Sequence, residues 1–178
     1  MLVVGPSGAG KDTLISYCRS RLSDNGRVVF PRRTITRAGD DGSEDHHCVS
    51  EAEFRRQAGG GAFAIHWQAH GLCYGVPVSV NTALAEGRTV VVNVSRSVVD
   101  AARLRYRPLL VVSVSARRDV VAERLRERGR ESLDDIARRL ARSDLIEVGG
   151  PDVVRLDNSG TIEAAGEALL LLLTDRQR

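Results

Sequence analysis

The chain reads as an α/β domain, a parallel sheet wrapped by helices, and three observations predict it. An apolar strand, a glycine-rich turn and a helix start all fall within residues 2–14. Strands and helices alternate regularly from residue 89 to the end. The runs at 28–30, 89–94 and 109–114 are almost continuously apolar, as strands covered on both sides must be. At 178 residues the length suits one domain with a full core and a small inserted lobe.

The elements follow in order. A first helix is expected over 11–23, with Leu14, Ile15, Cys18 and Leu22 at helical spacing, and Asp24-Asn25-Gly26 ends it. A strand over 27–31 comes next. From 32 to 80 the pattern changes to short pieces: a polar turn at 39–44, a strand at 48–49, and a helix over 51–57 with Ser50 as N-cap. Three glycines at 59–61 stop that helix. A strand over 62–67, turns at Gly71 and Gly75, and a helix over 78–86 complete the stretch. The alternation then resumes: strand 89–94, helix 98–105, strand 109–114, helix 118–128, a break at Gly129, helix 132–145, strand 153–156 and a closing helix over 161–173.

Composition narrows the function. Net charge is +3 with acids interspersed among the arginines, and aromatic content is 4%, so a stacking surface for nucleic acid is not expected. The three cysteines, Cys18, Cys48 and Cys73, lack metal-type or redox-type spacing and read as reduced thiols in a cytoplasmic protein. No secretory leader precedes Gly5, and the apolar run at 168–173 is too short to span a membrane.

Chemistry is concentrated in Gly5-Pro6-Ser7-Gly8-Ala9-Gly10-Lys11-Asp12-Thr13, which fits G-x-x-x-x-G-K. The glycines let successive N–H groups turn onto a phosphate chain, the helix start adds its positive dipole end, and Lys11 reaches the β/γ-phosphates. A plain glycine turn between strand and helix is the alternative. Lys11 is the only lysine in a chain otherwise using arginine, which suggests that this position needs a compact ammonium. The position after it, Ser or Thr in the usual pattern, is Asp12, so the hydroxyl that normally binds magnesium is missing.

The loop, the inserted lobe and a late arginine-rich helix pair together resemble the nucleoside monophosphate kinases, and among them the guanylate kinases. Thr34-Ile35-Thr36-Arg37 is similar to their acceptor-phosphate segment, Asp45 to Ser50 to their Asp-Tyr-His-Phe-Val stretch, and Gly71 to Gly75 to their Gly-Asn-Tyr-Tyr-Gly. Departures are informative: their base-reading glutamate falls near Ile65, one tyrosine is Cys73, and the acceptor-phosphate tyrosine is His46. A closer likeness is to the guanylate-kinase-like ribose 1,5-bisphosphate phosphokinase family of phosphonate breakdown. It rests on Gly10-Lys11-Asp12, Glu44-Asp45-His46, the segment from Trp67 to Gly75, the strand end from Val92 to Arg96, Arg128 to Glu131, and Asp157 to Gly160.

That resemblance implies ATP-dependent phosphorylation of ribose 1,5-bisphosphate at its 1-phosphate, with magnesium. It implies a core over 1–32 and 81–178, an acceptor lobe over 33–80 and a lid over 128–142. Lys11, Arg128 and Arg139 are expected to be catalytic. Gly5 to Thr13 with Asn158 are expected to hold ATP, Asn158 near the adenine. Arg33, Arg37, Asp45, His46, His70, Tyr74 and Asn93 are expected around the acceptor. His70 and Tyr74 read equally as packing for the lobe. Asn93 stands where guanylate kinases carry an aspartate, so Asp12 is expected to hold Mg²⁺ directly or through water; its other reading is an early-helix carboxylate favoured by the dipole. Arg124, Arg126, Arg138 and Arg142 read as a solvated helix face. Other nucleoside monophosphate kinase activity, or a non-catalytic binding module, are the alternatives.

Overall fold

The computed structural model describes residues 1–37, 46–127 and 147–174. Its centre is a parallel sheet. Strand β1 (Leu2–Val4) lies between β9 (Val111–Ser115) and β8 (Val92–Asn93), and β10 (Val153–Asp157) pairs with β9 on the far side. On the other flank β2 (Val28–Val29) pairs with β7 (Thr89–Val90). β7 and β8 are the expected strand over 89–94 interrupted at Val91: its first half bonds to β2 and its second to β1. Val91 N–H donates to the Val29 carbonyl at 2.9 Å and Val92 N–H to that of Met1 at 3.2 Å, so one stretch serves both neighbours.

Alternation along these apolar strands divides the core into two layers. Leu2, Val4, Val90, Val92 and Val111 face one side, packed with Val80 and Ala83 of α3 (Val80–Ala85) and Val99 and Ala102 of α4 (Val99–Arg105). Val3, Val91, Val112 and Val114 face the other, packed with Leu14, Ile15 and Cys18 of α1 (Lys11–Arg21) and Leu169 and Leu173 of α6 (Ile162–Thr174). A 3₁₀ turn, Arg96–Val98, leads into α4, and α5 (Arg118–Glu127) stands at the loop end of the sheet.

The inserted stretch builds its own sheet, in the order β4 (His46–Cys48), β3 (Arg33–Ile35), β6 (Leu72–Pro77), β5 (Phe63–Ala69), with α2 (Glu51–Gly59) beside it. Ser50 caps α2 as expected, accepting from Glu53 N–H at 3.2 Å. Two strands, β3 and β6, were not anticipated, and Gly75 is not a turn. It sits inside β6 because a Cβ there would lie 2.5 Å from the Phe63 ring, which itself stacks on Phe54 at 4.7 Å. The polar turn at 39–44, the break at Gly129 and the helix at 132–145 lie outside the described residues. Among the described residues no helix is long and apolar enough to cross a membrane.

Candidate active site

The turn after β1 takes φ values open to glycine: +145° at Gly5, +83° at Gly8 and +84° at Gly10. Gly10 is also the N-cap of α1, and no side chain caps that helix. Its first turn stands at the positive end of the helix dipole. Lys11 folds back over the turn, Nζ donating to the Pro6 carbonyl at 2.7 Å. Below, Gly8 rests on Val121 and Leu125 of α5, so packing sets the height of the loop.

Asn158 holds this loop from behind. Its side-chain amide donates to the Ala9 carbonyl at 2.8 Å, its backbone N–H to the Ser115 carbonyl at 2.7 Å, and the residue is 1% exposed. The amide nitrogen is turned into the loop, where it satisfies the Ala9 carbonyl, while Oδ1 has no hydrogen-bond partner among the described residues. Arg124 is also not a solvated residue. Its Nη1 donates to the Asn158 carbonyl at 3.0 Å, and it lines a cavity of about 370 Å³ with Gly10, Thr13, Asn158 and Ile162. The sequence could not single it out, since its partner lies 34 positions away.

On the other side of α1 the lobe meets the loop. Asp12 Oδ1 accepts from Asn93 Nδ2 at 2.9 Å and from Arg33 Nη2 at 3.2 Å. Arg33 Nη1 donates in turn to the Asn93 carbonyl at 3.4 Å. The Arg33 side chain is 10% exposed and that of Asp12 32%, so the cation is enclosed while the carboxylate is partly solvated. Asn93 is buried and its amide is committed to Asp12. Motifs pointed to Asp12 and Asn93, and the charge the acceptor needs pointed to Arg33, but nothing pointed to their joining.

His46 pairs with Arg33 across β3 and β4, at 2% exposure, and neither ring nitrogen has a hydrogen-bond partner among the described residues. Arg32 donates to its carbonyl at 3.1 Å. Arg37 lies two residues beyond the end of β3. Tyr74, in β6, stacks on Trp67, and His70, at the β5–β6 turn with φ +52°, is exposed. Burial pushes the ionisation of Arg96, just past β8, below its ordinary value. Asp45, Arg128 and Arg139 lie outside the described residues.

The guanylate kinase family profile matches residues 1–148. A ribose 1,5-bisphosphate phosphokinase from Agrobacterium fabrum is 49% identical over 173 residues, covering 97% of this chain and 94% of that protein. The one from Brucella melitensis is 51% identical over 168 residues, covering 94% and 88%. In three dimensions the chain is similar to the guanylate kinase from Anaplasma phagocytophilum, with a TM-score of 0.73 at 17% identity, over 99% of this chain and 85% of that one. The chain belongs to the guanylate kinase family and, within it, to the ribose 1,5-bisphosphate phosphokinases.

Proposed function

We propose from that membership that the protein transfers the γ-phosphoryl group of ATP to the 1-phosphate of ribose 1,5-bisphosphate, giving 5-phosphoribosyl 1-diphosphate and ADP in the cytoplasm as a step of phosphonate breakdown. The observation that supports this reading is the contact of Asp12, at the start of α1, with Arg33 of the lobe and Asn93 of β8. Each phosphate monoester of the acceptor carries about −1.5 to −2 charges near neutral pH. Its attacking oxygen is already anionic, so the transfer needs no general base, and catalysis reduces to alignment and charge neutralisation.

The roles of the residues are part of the same proposal. The loop N–H groups and Lys11 hold the donor phosphates, and the cavity beside Arg124 and Thr13 accommodates the nucleoside. Arg37, His46 and Tyr74, with Arg33 behind them, face the acceptor, and a phosphate oxygen would give the His46 ring the partner it lacks among the described residues. The family resemblance assigns Asp45 and His70 to the acceptor as well, and Arg128 and Arg139 as further cations. Magnesium suits the donor set: it binds through one or two carboxylates plus phosphate oxygens and water, and Asp12 offers Oδ2 while both its protein donors sit on Oδ1. When bound, Mg²⁺ neutralises charge on the β- and γ-phosphates. The neighbouring Arg33 offsets part of the Asp12 charge, so the phosphates provide most of the metal's counter-charge.

Coupled ADP release with ribose 1,5-bisphosphate, GMP or no acceptor tests the proposal. Turnover with the sugar bisphosphate alone is expected, and Lys11→Met should lower kcat about 10² to 10³-fold. Turnover with GMP alone would mean a nucleoside monophosphate kinase, and none above background a binding module.

A further inference from the structure

Register assigns the side chains of the lobe sheet to two faces. Arg33 pairs with His46, Ile35 with Cys48 and Tyr74, Trp67 with Tyr74, and Ile65 with Val76, so these residues share one face. Arg33 reaches Asp12 from it, which shows that this face looks toward the phosphate loop. It grades from cationic on β3 and β4 to apolar and aromatic on β5 and β6, and among the described strand residues the register puts on this face there is no carboxylate or amide, Gln68 of β5 lying on the other. A nucleobase would find no carboxylate or amide oxygen on it to accept its N–H groups side by side, and polar groups left poorly paired are rejected.

At the apolar end the Trp67 and Tyr74 rings are stacked, with centroids 5.3 Å apart and planes at 5°. Trp67 also packs against the core cluster that includes Val94 and Val98, which anchors the pair to the main sheet. Both residues are half-buried, so the stack still presents surface. We propose that Trp67 is a specificity-determining residue: its indole is the surface on which the acceptor's ribose ring packs through its C–H face, and the stack fills the space a base would need. This rests on the reading of the acceptor as a sugar bisphosphate. An indole offers a rigid apolar plane with a polar N–H at its edge, which matches a ring that is apolar on one face and hydroxylated at its rim.

Trp67 is the only tryptophan in the chain, so its emission reports on this surface without any substitution. Titrating ribose 1,5-bisphosphate into the wild-type protein should change that emission saturably, with a midpoint matching acceptor binding in the kinetic assay, while GMP leaves it unchanged. Trp67→Leu should raise acceptor KM about tenfold with kcat and ATP KM within about twofold, and Trp67→Tyr should recover most of the loss. Turnover of the sugar bisphosphate with unchanged emission across its saturation range overturns this inference alone. Absence of turnover overturns the proposed function along with it. If Trp67→Leu does not fold, the wild-type titration still decides.

Discussion

Replacing Gly10 by Ala probes the loop where backbone and side chain are both committed. At φ +84° an L side chain costs about 1–2 kcal/mol in backbone strain. The new Cβ would lie 2.4 Å from Asn158 Nδ2, closer than such atoms can approach, so the amide must leave and its 2.8 Å bond to the Ala9 carbonyl breaks. Losing a buried hydrogen bond with its partner left in place costs about 1–3 kcal/mol. Gly10→Ala should therefore destabilise by about 2–5 kcal/mol in urea unfolding followed by far-UV circular dichroism. Gly61→Ala is the control, since φ is +74° there and nothing lies within 4 Å of the added carbon, so strain alone, about 1–2 kcal/mol, is expected. In an Asn158→Ala background the clash is already gone, and Gly10→Ala should cost only that strain, leaving a coupling of about 1–3 kcal/mol. Additive effects would refute the assignment of Asn158 as the clamp of the loop.

Three further outcomes follow. Arg33→Met should lower stability by about 1–3 kcal/mol, because it leaves Asp12 with one donor and removes a largely enclosed charge whose partner is partly solvated; Arg33→Lys should recover little, since one ammonium cannot span Asp12 and the Asn93 carbonyl together. Leu169→Ala should cost about 2–5 kcal/mol and Leu171→Ala under about 0.5, as the first is fully buried between α6 and the sheet and the second is 59% exposed. Burial pushes the Cys18 thiol up to about 11, so a thiol reagent at pH 8 should modify Cys48 and Cys73 in the native protein and spare Cys18. Because that value is raised on folding, its contribution to stability is complete below the ordinary thiol range and is lost as pH rises through about 11; a stability–pH curve flat across that interval would contradict it.

What the sequence disclosed was what local pattern controls. β1, the loop and α1 occupy consecutive residues, and glycine spacing, apolar run and lysine offset are all visible there. Ser50 capped α2 for the same reason. β6 was hidden because Gly75 carries the usual mark of a turn, whereas here its bare Cα is required by a Phe63 ring brought over by strand pairing. β3 is too short and too polar to show period-two alternation. Within the site, motifs identified Asp12 and Asn93, and the need for cations Arg33, each singly, but their contact joins positions 21 and 81 residues apart, and only folding sets which side-chain groups are consumed by one another. Arg124 was lost among a run of helix arginines for the same reason, its carbonyl partner being supplied by a distant turn.

Phosphorus NMR of the reaction mixture tests the central claim most directly, because it identifies the bond that is made. With ATP, Mg²⁺ and ribose 1,5-bisphosphate, the 1-phosphate resonance should be replaced by a coupled pair from a diphosphate at C1, while the 5-phosphate resonance stays single. A new diphosphate at the 5-position, or an unchanged sugar bisphosphate beside GMP converted to GDP, would contradict the account.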